Sequence, residues 1–420
     1  YRGVLSGVIT PADGVALLSS NLNGEEYVAA ATPEPTPFDC GGPGIVTIWH
    51  TQSEYVGRAL ADVAFEFGSN CSQTTITIGQ VAEGELFDRL ADGAEDRPDI
   101  LLVSHTMLPD LIENDQLIPV TGQIDEETRQ RYFARALNAL SVENEFYGFP
   151  FALEVNTLYR TIERAPDAPV TLDDLQLQVN SELPLAFPIT GWDAFWGITA
   201  YSNTLFDEGG RFLPDPEGLV EWLTWLNENK TWPGMIFSAD QPELRDQFAG
   251  GEAALFIGRA GDYPFLLDTL SRDNVRTAGL PSGPQGAGRP LLIVESFLFT
   301  PEAESNLPAA LAFVDYATSQ GVQLELMTRE RLVPANINVS MVNFPNAAIL
   351  QAQAQDAVLL PHDFPFQFAL AEADQMYARV LNEEQEPAEA GCAYILAVNA
   401  EMGVELTLED LGSICNEDTE

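Results

Sequence analysis

Lysine is almost missing. Lys230 is the only one in 420 residues, and lysine plus arginine reach 19 against 64 aspartates and glutamates, a formal net charge of -45 at pH 7. So acidic a surface repels phosphate backbones and anionic lipid, which argues against nucleic-acid and headgroup binding. It suits a secreted protein kept soluble in a saline medium. No apolar run approaches the roughly 18 residues of a membrane-spanning helix. The sequence also begins at Tyr1 without a methionine, and a processed, mature start is expected.

Cysteine is scarce: four residues, with no Cys-x-x-Cys and no metal-type spacing. Two structural disulfides in an oxidising compartment are expected. Cys40 and Cys71 each precede a predicted strand by a few residues, so neighbouring parallel strands would bring them together. Cys392 and Cys415 share the acidic C-terminal region. Four cysteines allow three connectivities, and all three stay open.

Catalytic signatures are missing too. There is no GxSxG, Walker loop, HExxH or GxGxxG after a strand. Gly283-Pro284-Gln285-Gly286-Ala287-Gly288 is glycine-rich, but it contains a proline and joins no strand to a helix, so it reads as a surface loop. Glu154 and Glu295 have the residue types of a glycosidase pair, yet two lobes of alternating strands and helices are not the barrel or sandwich that chemistry usually occupies. Three histidines, His50, His105 and His362, fall at predicted strand ends or loops, and with Glu154 they have the types of a metal site, but hydrogen-bonding roles in the cleft are the simpler account. Neither enzyme activity, cofactor nor metal is expected.

What is present is globular. Hydrophobic residues at 45% and aromatics at 10% are ordinary, and 420 residues are too many for one core, so two or three domains are expected. Residues 1–31 hold short apolar pieces unable to bury a core of their own, followed by the stiff spacer Thr32-Pro33-Glu34-Pro35-Thr36-Pro37. Strand Ile45–His50, a helix from Tyr55 to Phe67, strand Thr75–Ile78, a helix from Glu83 and strand Asp99–Ser104 then alternate, as in a parallel sheet with crossover helices. In such sheets ligands gather at the carboxyl ends of strands, here Trp49, His50, Gln52 and Glu54, and Ser104, His105 and Thr106.

The stretch Gly148-Phe149-Pro150-Phe151-Ala152-Leu153-Glu154-Val155-Asn156-Thr157-Leu158-Tyr159 is a strand of buried type with one acid in its middle. An acid there needs water, a partner or a ligand. It resembles the first lobe-crossing strand of the maltose-binding-like extracellular solute-binding proteins of ABC importers. Other segments fit the same resemblance: the strand ending Ile48-Trp49-His50, Arg97-Pro98-Asp99-Ile100, the helix start Thr171-Leu172-Asp173-Asp174, the helix-turn-strand Gln247–Gly258, the return strand Ile293–Phe299 and Leu332-Val333-Pro334-Ala335-Asn336. The likeness covers roughly residues 41–345 and fades beyond.

That resemblance implies a two-lobed α/β fold of the periplasmic-binding type, each lobe a mainly parallel sheet flanked by helices. Residues 1–40 would be an extension and spacer, 41–152 with 296–340 the first lobe, and 153–295 with 341–420 the second lobe and tail. It implies an extracellular, cell-surface or periplasmic binder that delivers a carbohydrate or polyol to an ABC permease, with a lipid or N-terminal anchor as a route to the membrane. Trp192 and Trp196 fall at i and i+4 of an expected helix start; Trp192 is the better ring-stacking candidate. Gln52, Glu54, Glu154, Asn156 and Asp193 would hold hydroxyls, and Trp49, His50, His105, Glu295 and Phe364 would lie near them.

One departure stands out. Relatives often follow the strand at Ile257 with Gly-Pro-Trp, whereas this chain has Gly258-Arg259-Ala260-Gly261-Asp262. Arg259 suits a carboxylate, a phosphate or a vicinal diol, or else a structural ion pair. The lost tryptophan and the N-terminal extension also suit a rival reading: a structural or assembly subunit with a filled cleft and residues 1–31 lodged on a neighbour.

Overall fold

The computed structural model describes residues 38–91, 97–271, 273–329 and 332–416; the N-terminal pieces and proline spacer lie outside them. Two five-stranded sheets carry the chain. The first is ordered β2 (Thr74–Gln80), β1 (Gly44–His50), β3 (Ile100–Ser104), β12 (Ile293–Phe299) and β6 (Gly148–Glu154). The second is ordered β11 (Val275–Ala278), β7 (Asn156–Thr161), β10 (Leu255–Arg259), β8 (Leu185–Pro188) and β9 (Met235–Ser238). A short hairpin pairs β4 (Ser141–Val142) with β5 (Glu145–Phe146).

The chain makes a mixed α/β fold. β1 pairs in parallel with β2 and β3, and β8 with β9 and β10, as the alternating pattern predicts. The strands that cross or return run antiparallel: β12 against β3 and β6, β7 against β10 and β11. A strand that returns to a sheet runs against the strand that left it, as β12 does against β6.

Helices cover the sheets with their apolar faces. On α1 (Glu54–Asn70), Leu60, Val63 and Phe67 recur at helical spacing and are buried, with Phe67 edge-on to Phe313 of a later helix at 5.5 Å. On the second sheet, α2 (Phe195–Tyr201) meets α3 (Pro216–Asn229) so closely that a Cβ on Gly197 would lie 2.1 Å from the Trp222 ring. Helices α4 (Pro345–Asp356), α5 (Phe366–Leu381) and α6 (Pro387–Glu401) complete the chain. The disulfides join Cys40 to Cys71 and Cys392 to Cys415. The first ties the entry of β1 to the end of α1, as the two strand starts implied.

Two local expectations are corrected. The crossing stretch is two strands, not one, because Val155 interrupts pairing between β6 and β7. Trp192 and Trp196 do not share a helical face, since α2 starts only at Phe195. Trp192 sits in a turn held by the Thr190 hydroxyl, which accepts the Asp193 N–H at 3.0 Å and donates to its carboxylate at 2.8 Å.

Gly148, at the start of β6, has no space for a side chain: a Cβ there would lie 2.0 Å from the Phe297 carbonyl oxygen on β12. Gly148→Ala is expected to destabilise the fold by about 2 kcal/mol by forcing these strands apart. Chemical denaturation checks this, and an unchanged midpoint would contradict it.

Candidate functional site: the cleft between the sheets

A single residue separates β6 of the first sheet from β7 of the second. β6 ends at Glu154, Val155 is fully buried, and β7 begins at Asn156. On the neighbouring β12, Glu295 lies opposite Ala152. Side chains alternate along a strand and cross-strand partners share a face, so Glu295, Ala152 and Glu154 point the same way. The pairing slips between Glu295 and Ser296, a bulge of the kind that re-aims side chains. Beyond β6, the Leu153 N–H donates to the Val333 carbonyl at 2.9 Å, which brings the Leu332–Asn336 segment alongside.

These strands floor a cleft of ≈ 320 Å³, walled by Gln52, Tyr55, Glu154, Glu295, Arg259 and Asp262 among others. Glu154 and Glu295 are half-buried. Burial pushes Glu154 up to about 8, against the pull of a 2.9 Å hydrogen bond from the Gly261 N–H and with Asp262 adding to the rise. Burial likewise raises Glu295 to about 7, although the Gln52 amide donates to it.

Arg259 ends β10 opposite Asn156. Its Nε and Nη2 each donate to Asp193 at 2.8 Å, a bidentate pair. Asp193 is fully buried and also accepts from Asn156 Nδ2 at 2.9 Å. Burial opposes the Arg259 charge, but the Asp193 carboxylate outweighs it and raises the guanidinium pKa. Asp262 accepts from the Arg259 backbone N–H at 2.8 Å and from Gln241 Nε2 at 2.7 Å.

Of the residues singled out in the sequence, Gln52, Glu154, Arg259 and Glu295 are brought together in the cleft. Asn156 and Asp193 are buried, bonded to each other, with Asp193 holding Arg259. Trp192 is half-buried and edge-on to Phe366, with the Arg259 guanidinium 6.0 Å from its ring centre. Glu54 is exposed at the start of α1. Trp49 is buried in a cluster with Leu86 and Leu101, beneath the Arg89 guanidinium at 4.5 Å. His50 is buried under α1, where a Cβ on Gly57 would lie 2.9 Å from its ring.

His105 and Phe364 belong elsewhere: both line a small pocket of ≈ 30 Å³ that also contains His362. His105 Nδ1 accepts the Val294 N–H at 3.1 Å, and burial lowers its pKa to about 3. Phe364 packs edge-on to Phe206 in the core of the second sheet. Sequence reasoning passed over Tyr55, Phe151, Gln241 and Asp262, which all line the cleft. Asp262 carries a signal of its own: it stands three residues after Arg259 and reaches back to that residue's N–H, as a helix-capping acid does.

The family described as bacterial extracellular solute-binding protein matches residues 63–352. The maltotriose-binding protein of Pyrococcus abyssi (strain GE5 / Orsay) is 24% identical over 228 residues, 52% of this chain, and the chain spans about half the length of that relative, 50%. Among solved structures, the GacH receptor of Streptomyces glaucescens superposes with a TM-score of 0.75 at 19% identity, over 86% of this chain and 99% of that one. The maltose-maltodextrin binding protein of Alicyclobacillus acidocaldarius gives 0.71 at 16% identity, over 86% and 100%. The two sheets and the strands that pass between them are thus a shared two-lobed fold, and the chain belongs to the bacterial extracellular solute-binding protein family, whose members bind solutes and are not enzymes.

Proposed function

We propose that the cleft captures a carbohydrate or related polyol outside the cell and that the loaded protein delivers it to an ABC permease. The supporting observation is the cleft itself: ≈ 320 Å³ of space at the strand passage, with carboxylates and an arginine beside the ring of Tyr55. That volume lies at the lower end for small-molecule sites, and polar groups beside apolar faces suit a sugar ring. The relatives named for maltotriose and for maltose-maltodextrin point to the same ligand class. Closure would swing residues 153–295 with 341–420 against 41–152 with 296–340, using β6–Val155–β7 and β12 as hinges. The rival reading, a structural subunit, needs a filled cleft, and this one is open.

A thermal-shift screen against mono- and oligosaccharides, polyols and sugar phosphates tests the proposal. A ligand at about 100 times its Kd adds about 2.7 kcal/mol of stability. The expected result is a clear shift with one sugar class, lost in Glu154→Ala; no shift across the whole panel would overturn the proposal.

A further inference from the structure

The cleft holds two acids that the fold pairs with no cation. Its arginine, Arg259, is matched by Asp193 on two bonds of 2.8 Å. Asp262 is matched by two hydrogen bonds and by Arg245 at 3.9 Å. Glu154 and Glu295 have no such match: no ion pair among the described residues includes either of them. Each spends one oxygen on a neutral donor, Glu154 Oε1 on the Gly261 N–H and Glu295 Oε2 on the Gln52 amide, and keeps the other for the cleft.

Three classes of carbohydrate differ in how they meet this arrangement. An anionic sugar would face two carboxylates with the arginine already taken, so sugar phosphates and uronic acids are disfavoured. A neutral sugar can donate hydroxyls to both acids, but it brings no counter-charge, so ionising either acid in the closed cleft stays costly. A cation removes that cost, because an ammonium group brings both the charge and the donors that Glu154 and Glu295 lack. The half-buried Tyr55 also lines the cleft, and its ring already meets the Arg58 guanidinium at 4.9 Å, the kind of contact a ligand cation would make. The whole chain acts in the same sense: its net charge of -45 draws cations towards the cleft and repels anions.

We infer that the ligand is a basic carbohydrate, an amino sugar or aminocyclitol bound as its ammonium form, with Glu154 and Glu295 as the two carboxylates that receive the nitrogen. This rests on the cleft being a carbohydrate site, as proposed above. It narrows the ligand from polyols in general to those with a free amine.

Titration calorimetry of the full chain near neutral pH and at low salt tests it with three probes: the trisaccharide of glucosamine, its fully N-acetylated form and maltotriose. The first two differ in size by only an acetyl group per ring but differ in charge. The expected result is a preference of about tenfold or more for the free amine, weakening as salt is added and falling to about unity in Glu295→Gln. The melting temperature of the variant shows that it is folded, and the comparison of probes on the unaltered protein stands without it. Tighter or equal binding of maltotriose or of the N-acetylated probe would overturn the inference and leave the carbohydrate reading in place. Heat from none of the three, with silence across the wider sugar panel, would overturn both.

Discussion

Asp193→Ala is expected to cost the fold about 3–5 kcal/mol, the largest effect of any single change at the site. The carboxylate is fully buried and takes two hydrogen bonds from Arg259, one from Asn156 and one from the Thr190 hydroxyl. Removing it leaves the amide and hydroxyl without an acceptor and the guanidinium without its counter-charge. The Arg259 side chain is 41% exposed, so water can take over part of the lost pairing, and the lower end of the range is the working figure. Arg259→Ala strands a fully buried carboxylate instead and belongs in the same range, while the double replacement should cost less than the two single losses added together. Calorimetric melting of the three variants measures this. Additive losses, or a loss below about 0.5 kcal/mol for Asp193→Ala, would show that the pair does not hold the second sheet's edge of the cleft.

The unliganded protein is expected to lose stability as pH rises from about 4.5 to 8, by on the order of 4 kcal/mol from Glu154 and Glu295 together. Both carboxyls have folded pKa values above the unfolded one, about 8 and about 7 against 4.5, because burial penalises their charged forms. The native state therefore holds protons that the unfolded chain has released, and its advantage shrinks across that window. A tenfold difference in proton affinity between the folded and unfolded chain corresponds to about 1.4 kcal/mol, and the figure here is reduced because both side chains remain partly open to water. The exposed acids work in the opposite sense and at lower pH: Asp125, held down mainly by the Thr128 N–H, and Glu383, held down mainly by Lys230, stabilise the fold once ionised. Self-repulsion of the acidic surface adds to the loss at high pH, so the informative quantity is the difference between proteins. A Glu154→Gln, Glu295→Gln double variant should flatten the profile between pH 5 and about 8; an unchanged slope would place the effect on the surface.

The elements that organise the site were legible because their chemistry is local. Thr171 and Asp174 form the reciprocal cap their spacing implies, the Thr171 hydroxyl accepting the Asp174 N–H at 3.0 Å. The stretch carrying Glu154 is the passage between the sheets, and Glu295 lies on the strand beside it. What could not be read was which face a strand-end residue takes. Trp49 and His50 are neighbours on β1 and therefore point to opposite sides, Trp49 into a cluster with Leu86 and His50 under α1. Trp192 depended on where a helix begins, and the Thr190–Asp193 turn delays that start by a few residues. Helices α4 and α6 were missed for a different reason. Pro345–Asp356 alternates alanine with glutamine, and Pro387–Glu401 bunches its large apolar residues at Tyr394–Leu396 among alanines, so neither has the leucine and phenylalanine stripe that marks α1.

The cleft as the ligand's seat is tested most directly by a crystal structure of the full chain with the tightest-binding sugar from the screen. The expected result is a sugar enclosed between the sheets, with polar atoms within hydrogen-bond distance of Glu154 and Glu295 and a ring against Tyr55. A sugar seated instead in the groove beside β9, near Lys230 and Asp374, with the central cleft unchanged, would contradict it.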